Sequence, residues 1–223
     1  METLGERERS SIAPYEAILA ALLAVPWDRA PEVIPIQPLD RVHIDFFPGQ
    51  RGFFGPDFPH QNGIMVVGNN FSRLSGWKDY IESPDRQSEI ATWRKLRIII
   101  DASGLGIGRF WFTNYCHGVM DRNRESYSFP KHVIKRLEFD KLFEKCVALM
   151  KPALVVSLGS LASDLLKTDY EQREKIDRRT IAGHPTKLIA AVHPSAWTWG
   201  KRGFTIEDFR REGCRIREAV QDF

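Results

Sequence analysis

Leu188-Ile189-Ala190-Ala191-Val192 runs directly into His193-Pro194-Ser195-Ala196-Trp197-Thr198-Trp199-Gly200-Lys201-Arg202-Gly203-Phe204. The apolar run, closed by a proline-bearing turn, reads as a buried strand. The loop leaving it carries an imidazole, a rigid proline, a hydroxyl, two indoles and two cations. In an open α/β sheet the site lies at the C-terminal ends of strands, so this loop is a candidate. Each group has a use on a nucleic acid. His193 can donate to a leaving group, Ser195 can bond a phosphate oxygen, and the tryptophans can stack on or wedge between bases. The competing reading is a loop whose His and Trp only pack.

Working outward, three further strands end in polar turns. Gly63-Ile64-Met65-Val66-Val67 is a short apolar run of the central parallel type, closed by Gly68-Asn69-Asn70-Phe71-Ser72. Phe110-Trp111-Phe112-Thr113 ends at Asn114, which opens a polar, aromatic loop through Lys131. Ala153 to Leu158 is the third, and Gly159-Ser160 begins a helix through Leu166 whose free N–H groups can face an anion. Helical spacing marks Pro14 to Val25, a stretch from Ser83-Pro84 to Gly104, and a stripe of Leu142, Phe143, Cys146, Val147 and Met150 that places Cys146 in the core. Lys167 to Arg179 reads as a charged connection. Thr205 with Asp208 has the form of a capping box for a last helix along Ile206, Phe209, Ile216 and Val220. This alternation predicts a three-layer α/β/α sandwich with a mainly parallel four-stranded central sheet. Its consequence is that Asn69, Asn70, Asn114, the Gly159 turn and His193 line one sheet edge.

Composition sets the limits. With 223 residues and 43% apolar content, one sizeable core and one domain are expected. A net charge of +3, from 32 Lys and Arg against 29 Asp and Glu, permits nucleic-acid binding without demanding it. Cys116, Cys146 and Cys214 form no CxxC pair, so neither a disulfide framework nor a metal site is predicted, and a reducing cytoplasm fits. No export signal and no membrane-spanning run is visible. Residues 27–62 are rich in Pro, Gly and aromatics and read as a long irregular segment folded over the surface.

Taken together, these turns resemble the uracil-DNA glycosylase superfamily over about Gly63 to Val220. Gly68-Asn69-Asn70-Phe71-Ser72 stands where that superfamily has GQDPY, GINPG, GMNPG or GEAPG. Phe112-Thr113-Asn114 is similar to its ITN or LLN. Lys151-Pro-Ala-Leu-Val-Val-Ser-Leu-Gly-Ser160 resembles RPxxVVxLG, and His193-Pro194-Ser195 with Arg202-Gly203-Phe204 resembles HPSPLSxxRGF. Four pieces in order at comparable spacing carry the resemblance where no single one does. It implies a single glycosylase-like domain over residues 1–223, with an N-terminal helix and an aromatic-rich segment over about residues 1–62.

The same resemblance implies a DNA glycosylase that flips a base into a pocket and hydrolyses its N-glycosidic bond, leaving an abasic site. Hydrolysis builds positive charge on the sugar and negative charge on the departing base, so the site needs a placed water and a donor to the base. By carry-over, Asn70 positions the water and His193 stabilises the leaving base. Asn114 reads the base edge, or caps its own turn. Asn69 joins the base-binding set, and Phe71 or Trp77 supplies a stacking ring unless either belongs to the core. Trp197 is the wedge that fills the gap, or an exposed partner-binding residue. Ser72, Ser195, Lys201 and Arg202 grip phosphates. The partner implied is DNA, single- or double-stranded, acted on by a monomer with no cofactor; the iron-sulfur branches' four cysteines are absent here.

Departures from the pattern widen the reading. Asn70 cannot accept a proton, which predicts slow turnover. Phe71 replaces the usual Pro and Ser72 the following Tyr or Gly, and Asn69 matches the Glu of GEAPG, so uracil competes with a bulkier modified base such as a modified cytosine in foreign DNA. An acid from elsewhere, such as Asp57, Asp101 or Asp121, could substitute, and nothing in the sequence selects among them. The alternatives are a catalytically weak or inactive DNA-binding module and, lower, a small-molecule hydrolase on the same sheet, which lacks any GxxxxGK[ST] loop.

Overall fold

The computed structural model describes residues 16–36, 61–70, 91–121, 129–194 and 204–221. Residues 16–23 form helix α1, with Ile18 and Leu22 buried as its apolar spacing requires. The remaining elements are β1 (Val33–Pro35), β2 (Ile64–Gly68), α2 (Ala91–Ser103), β3 (Phe110–Asn114), β4 (Gly118–Met120), α3 (Lys131–Arg136), α4 (Phe139–Met150), β5 (Leu154–Leu158), α5 (Gly159–Leu166), β6 (Asp177–Ile181), β7 (His184–Ala191) and α6 (Ile206–Gln221).

The main sheet has five strands, not four, in the order β3-β2-β5-β7-β6. β2 pairs in parallel with both β3 and β5, and β5 pairs in parallel with β7, while β6 is antiparallel to β7. The additional strand lies at the end of the segment read as a charged connection. Asp177-Arg178-Arg179-Thr180-Ile181 has no buried residue, since an edge strand needs no apolar run. Ala182 and Gly183, with φ of 48° and 79°, are the two left-handed residues of the tight hairpin that joins it to β7. A separate two-stranded ribbon pairs β1 with β4 antiparallel. Three-residue strands are too short for periodicity to reveal.

Strand alternation divides the core in two. Met65, Val67, Trp111, Val155 and Leu188 face α1, α3 and α4 in one cluster, which includes Cys146 as its helical stripe required. Ile64, Val66, Phe110, Phe112, Val156 and Ile189 face α2 and α6 in the other. Each such side chain contributes roughly 1.5–3 kcal/mol when removed from water. Burial pushes the Cys146 thiol up to about 12, so it serves packing. Among the described residues no helix is long and apolar enough to cross a membrane.

The face carrying α2 and α6 depends on one glycine. A Cβ at Gly213 would lie 2.3 Å from the Ile99 carbonyl oxygen, 2.8 Å from Ala102 Cβ and 2.9 Å from the Ser103 nitrogen. Alanine would gain about 1 kcal/mol in helix propensity. Contact with an opposing backbone costs more, because the two helices must separate together with the core beneath them. Gly213→Ala is therefore expected to destabilise by a net of about 1–3 kcal/mol, read as a lowered urea midpoint. An unchanged or raised midpoint would contradict so close a crossing.

Candidate functional site

The register fixes where the polar turns meet. Gly68 stands opposite Asn114, Val67 opposite Ser157, and Leu158 opposite Ala191. These strands are parallel, so Asn69 and Asn70, Asn114, Gly159 and His193 leave the sheet along a single edge. Two backbone bonds lock the first pair of turns, with the Tyr115 N–H donating to the Gly68 carbonyl and the Cys116 N–H to that of Asn69, each at 2.9 Å. Asn69 is buried, whereas Asn70 keeps partial exposure.

Asn114 is only 2% exposed. By alternation its side chain shares a face with Phe110 and Phe112, the face covered by α2 and α6. Its Nδ2 is buried with no hydrogen-bond partner among the described residues. Leaving such a donor unsatisfied costs about 1–3 kcal/mol, a cost that a ligand acceptor would remove.

His193 is placed by a glycine. Gly159 has φ of 77°, and a Cβ there would come within 2.8 Å of His193 Cβ, so the position requires glycine both for its backbone and for the approach of the imidazole. Buried hydroxyls hold that turn: Ser157 Oγ lies 2.9 Å from both Ser163 Oγ and Thr168 Oγ1, and Ser163 Oγ donates to the Gly159 carbonyl at 2.9 Å. His193 as a residue is half-buried. Desolvation, assisted by the charge of Lys95, lowers it to about 4. At neutral pH it is therefore an uncharged imidazole, able to donate from one nitrogen and accept at the other.

Lys95 is the residue that the sequence reading missed. It is 9% exposed on α2, its ammonium 5.9 Å from the centre of the Phe209 ring. Desolvation first, and Arg94 second, lower its pKa. The available signal was a cation on the stripe of Trp93, Leu96, Ile99 and Ile100, since a lysine on a helix's buried face needs a reason to be there.

Phe71, Ser72, Trp77, Ser195, Trp197, Lys201 and Arg202 lie outside the described residues, as does Asp57. Of the other acids considered, Asp101 is exposed near the end of α2 that leads toward the start of β3, and pairs with Arg97 at 3.4 Å. That is the edge opposite Asn70, and Asp101 is therefore set apart from the described turns. Asp121 is exposed just past β4, its N–H bonded to the Glu32 carbonyl at 2.7 Å. An apolar void bounded by Val66, Leu96, Phe112, Val156, Leu158 and Ala191 lies inside the core and offers no polar group to a base. Among the described residues no group of three or more His, Cys, Asp or Glu side chains gathers as metal ligands. No protein-family profile matches the chain, and no curated protein matches it significantly.

Proposed function

We propose that this protein is a DNA glycosylase that flips a base out of the stack and hydrolyses its N-glycosidic bond. The observation carrying the proposal is the convergence of four strand ends bearing Asn69 and Asn70, Asn114, Gly159 and His193 on one sheet edge. In this reading Asn70 holds the attacking water. Asn114 offers its unsatisfied amide to the edge of the base. The neutral His193 ring donates a hydrogen bond to the base oxygen on which charge develops, with the Lys95 cation nearby favouring that charge. The segment from Ser195 to Phe204 supplies the wedge and phosphate contacts.

Uracil is one candidate substrate and a modified cytosine another. The test is mass detection of free base released from oligonucleotides carrying uracil, other deaminated bases and modified cytosines, together with genomic and phage DNA. Release by the wild type and its loss in Asn70→Ala and His193→Ala is expected. No free base from any substrate would overturn the reading. One observation favours a second reading: neither Asn69 nor Asn70 supplies a carboxylate, and the fold would then serve DNA binding alone. In that case DNA binding persists in His193→Ala and the wild type releases nothing.

A further inference from the structure

β7 outruns its neighbour. β6 reaches only to Asp177, opposite Leu188, so the last residues of β7 have no strand on that flank. The phase of β7 is set by the Lys187 N–H, which donates across to the Ala153 carbonyl before β5 at 3.4 Å. Odd-numbered residues thus direct their backbone groups toward β5, and residues 190 and 192 direct theirs to the open flank.

There α6 supplies side chains in place of a strand. Arg215 Nη2 donates to the Ala190 carbonyl at 3.3 Å, and Glu212 Oε1 accepts the Val192 N–H at 3.4 Å. Glu212 is 4% exposed and is itself held on both oxygens, by Arg173 Nη1 at 3.2 Å on Oε1 and by Arg215 Nη1 on Oε2. The Arg173 guanidinium in turn lies over the rings of Tyr170 and Phe204, at 5.6 and 5.4 Å from their centres. A buried ion pair is a weak source of stability, since apolar residues of similar volume hold a core as well. What this one does that apolar residues cannot is bond a carbonyl and an N–H within three residues of His193.

We propose that Glu212, together with Arg215, is a positioning residue that completes the missing edge of β7 and thereby fixes the approach of His193 to Gly159. The tether stands on the distances above. Its catalytic consequence rests on the glycosylase reading.

The test uses the full chain with Glu212→Gln, which keeps an acceptor for Val192, and Glu212→Leu, which does not. In Glu212→Leu the Val192 amide is expected to exchange at least about 10-fold faster while amides of β5 stay protected. The His193 ring is expected to titrate closer to its ordinary value. Single-turnover base release is expected to fall by about 100-fold with DNA affinity within about threefold, the signature of a displaced group. Glu212→Gln is expected to restore most of each. Wild-type exchange and His193 titration in Glu212→Leu would overturn the proposal. So would a lowered Tm with an unchanged rate per folded molecule. If Glu212→Leu does not fold, the test passes to Arg215→Met, which removes the donor to Ala190 but leaves Glu212 on Val192 and held by Arg173. This variant is expected to shift the His193 titration and slow release in the same direction by a smaller factor, and wild-type values of both would overturn the proposal. A wild type that releases no base defeats the glycosylase reading alone, because exchange and ring titration still decide the tether.

Discussion

His193→Ala is expected to slow single-turnover base release by about 10²–10³-fold, the usual effect of removing one preorganised donor from a developing anion. DNA affinity should change by less than about threefold, because phosphate contacts dominate binding and this ring supplies none. The reasoning starts from the ring's charge. Burial and the Lys95 cation hold its pKa at about 4, so it is already neutral well below physiological pH. The rate should therefore show no limb attributable to His193 between about pH 6 and 8, the range in which an unperturbed histidine titrates. Lys95→Met should move the ring's pKa upward, by the smaller of its two causes, and also slow release, since a cation near the departing base is lost. His193→Ala with a rate within threefold of wild type would remove the imidazole from the chemistry. A limb near the ordinary histidine value that disappears in the variant would leave the ring in the mechanism but in a charged role.

What the sequence disclosed follows from how much of each element faces apolar surroundings. β2, β3 and β5 are buried at every residue, so Ile64–Gly68, Phe110–Asn114 and Leu154–Leu158 stood out as continuous runs, and their parallel order put the polar turns on a common edge. β6 escaped because it is half solvated, and β1 and β4 because three residues carry no period. The capping box was visible from Thr205 and Asp208, whose side chains bond each other at 2.8 Å, with the Thr205 N–H donating to Asp208 at 2.6 Å. Lys95 and Glu212 were not visible as parts of the site. Each is a charge on an amphipathic helix, and only the third dimension shows that α2 and α6 deliver those charges to the end of β7. Sequence locates a site through the strand ends it interrupts; a cation on a buried helical stripe, as at Lys95, marks an unusual position without naming the site it serves.

Below about pH 6.5 the protein should lose stability steeply, and the strongest contributor is expected to be His117, which stands outside the proposed chemistry. Its ring is 2% exposed, set edge-on against Phe139 with centroids 6.1 Å apart, and desolvation lowers it to about 3 from an ordinary 6.5. In the unfolded chain this ring takes up a proton as the pH falls through 6.5, whereas the folded protein refuses it until about 3. The unfolded state therefore binds more protons within that window, so stability rises with pH there: it is fully present above 6.5 and is lost on descending toward 3. At 1.36 kcal/mol per unit this amounts to as much as about 5 kcal/mol, comparable to the whole stability of many domains. His193 acts with the same sign down to about 4. Glu212, raised by burial, acts with the opposite sign, its contribution declining as pH rises. Two depressed histidines outweigh one raised carboxylate that its arginines partly compensate. Urea midpoints should fall continuously from pH 7 to pH 4.5, and His117→Phe, which keeps an aromatic ring against Phe139 but cannot bind a proton, should flatten that decline by about half. Equal midpoints at pH 7 and pH 5, or an unaltered slope in His117→Phe, would mean that His117 gains a proton while folded.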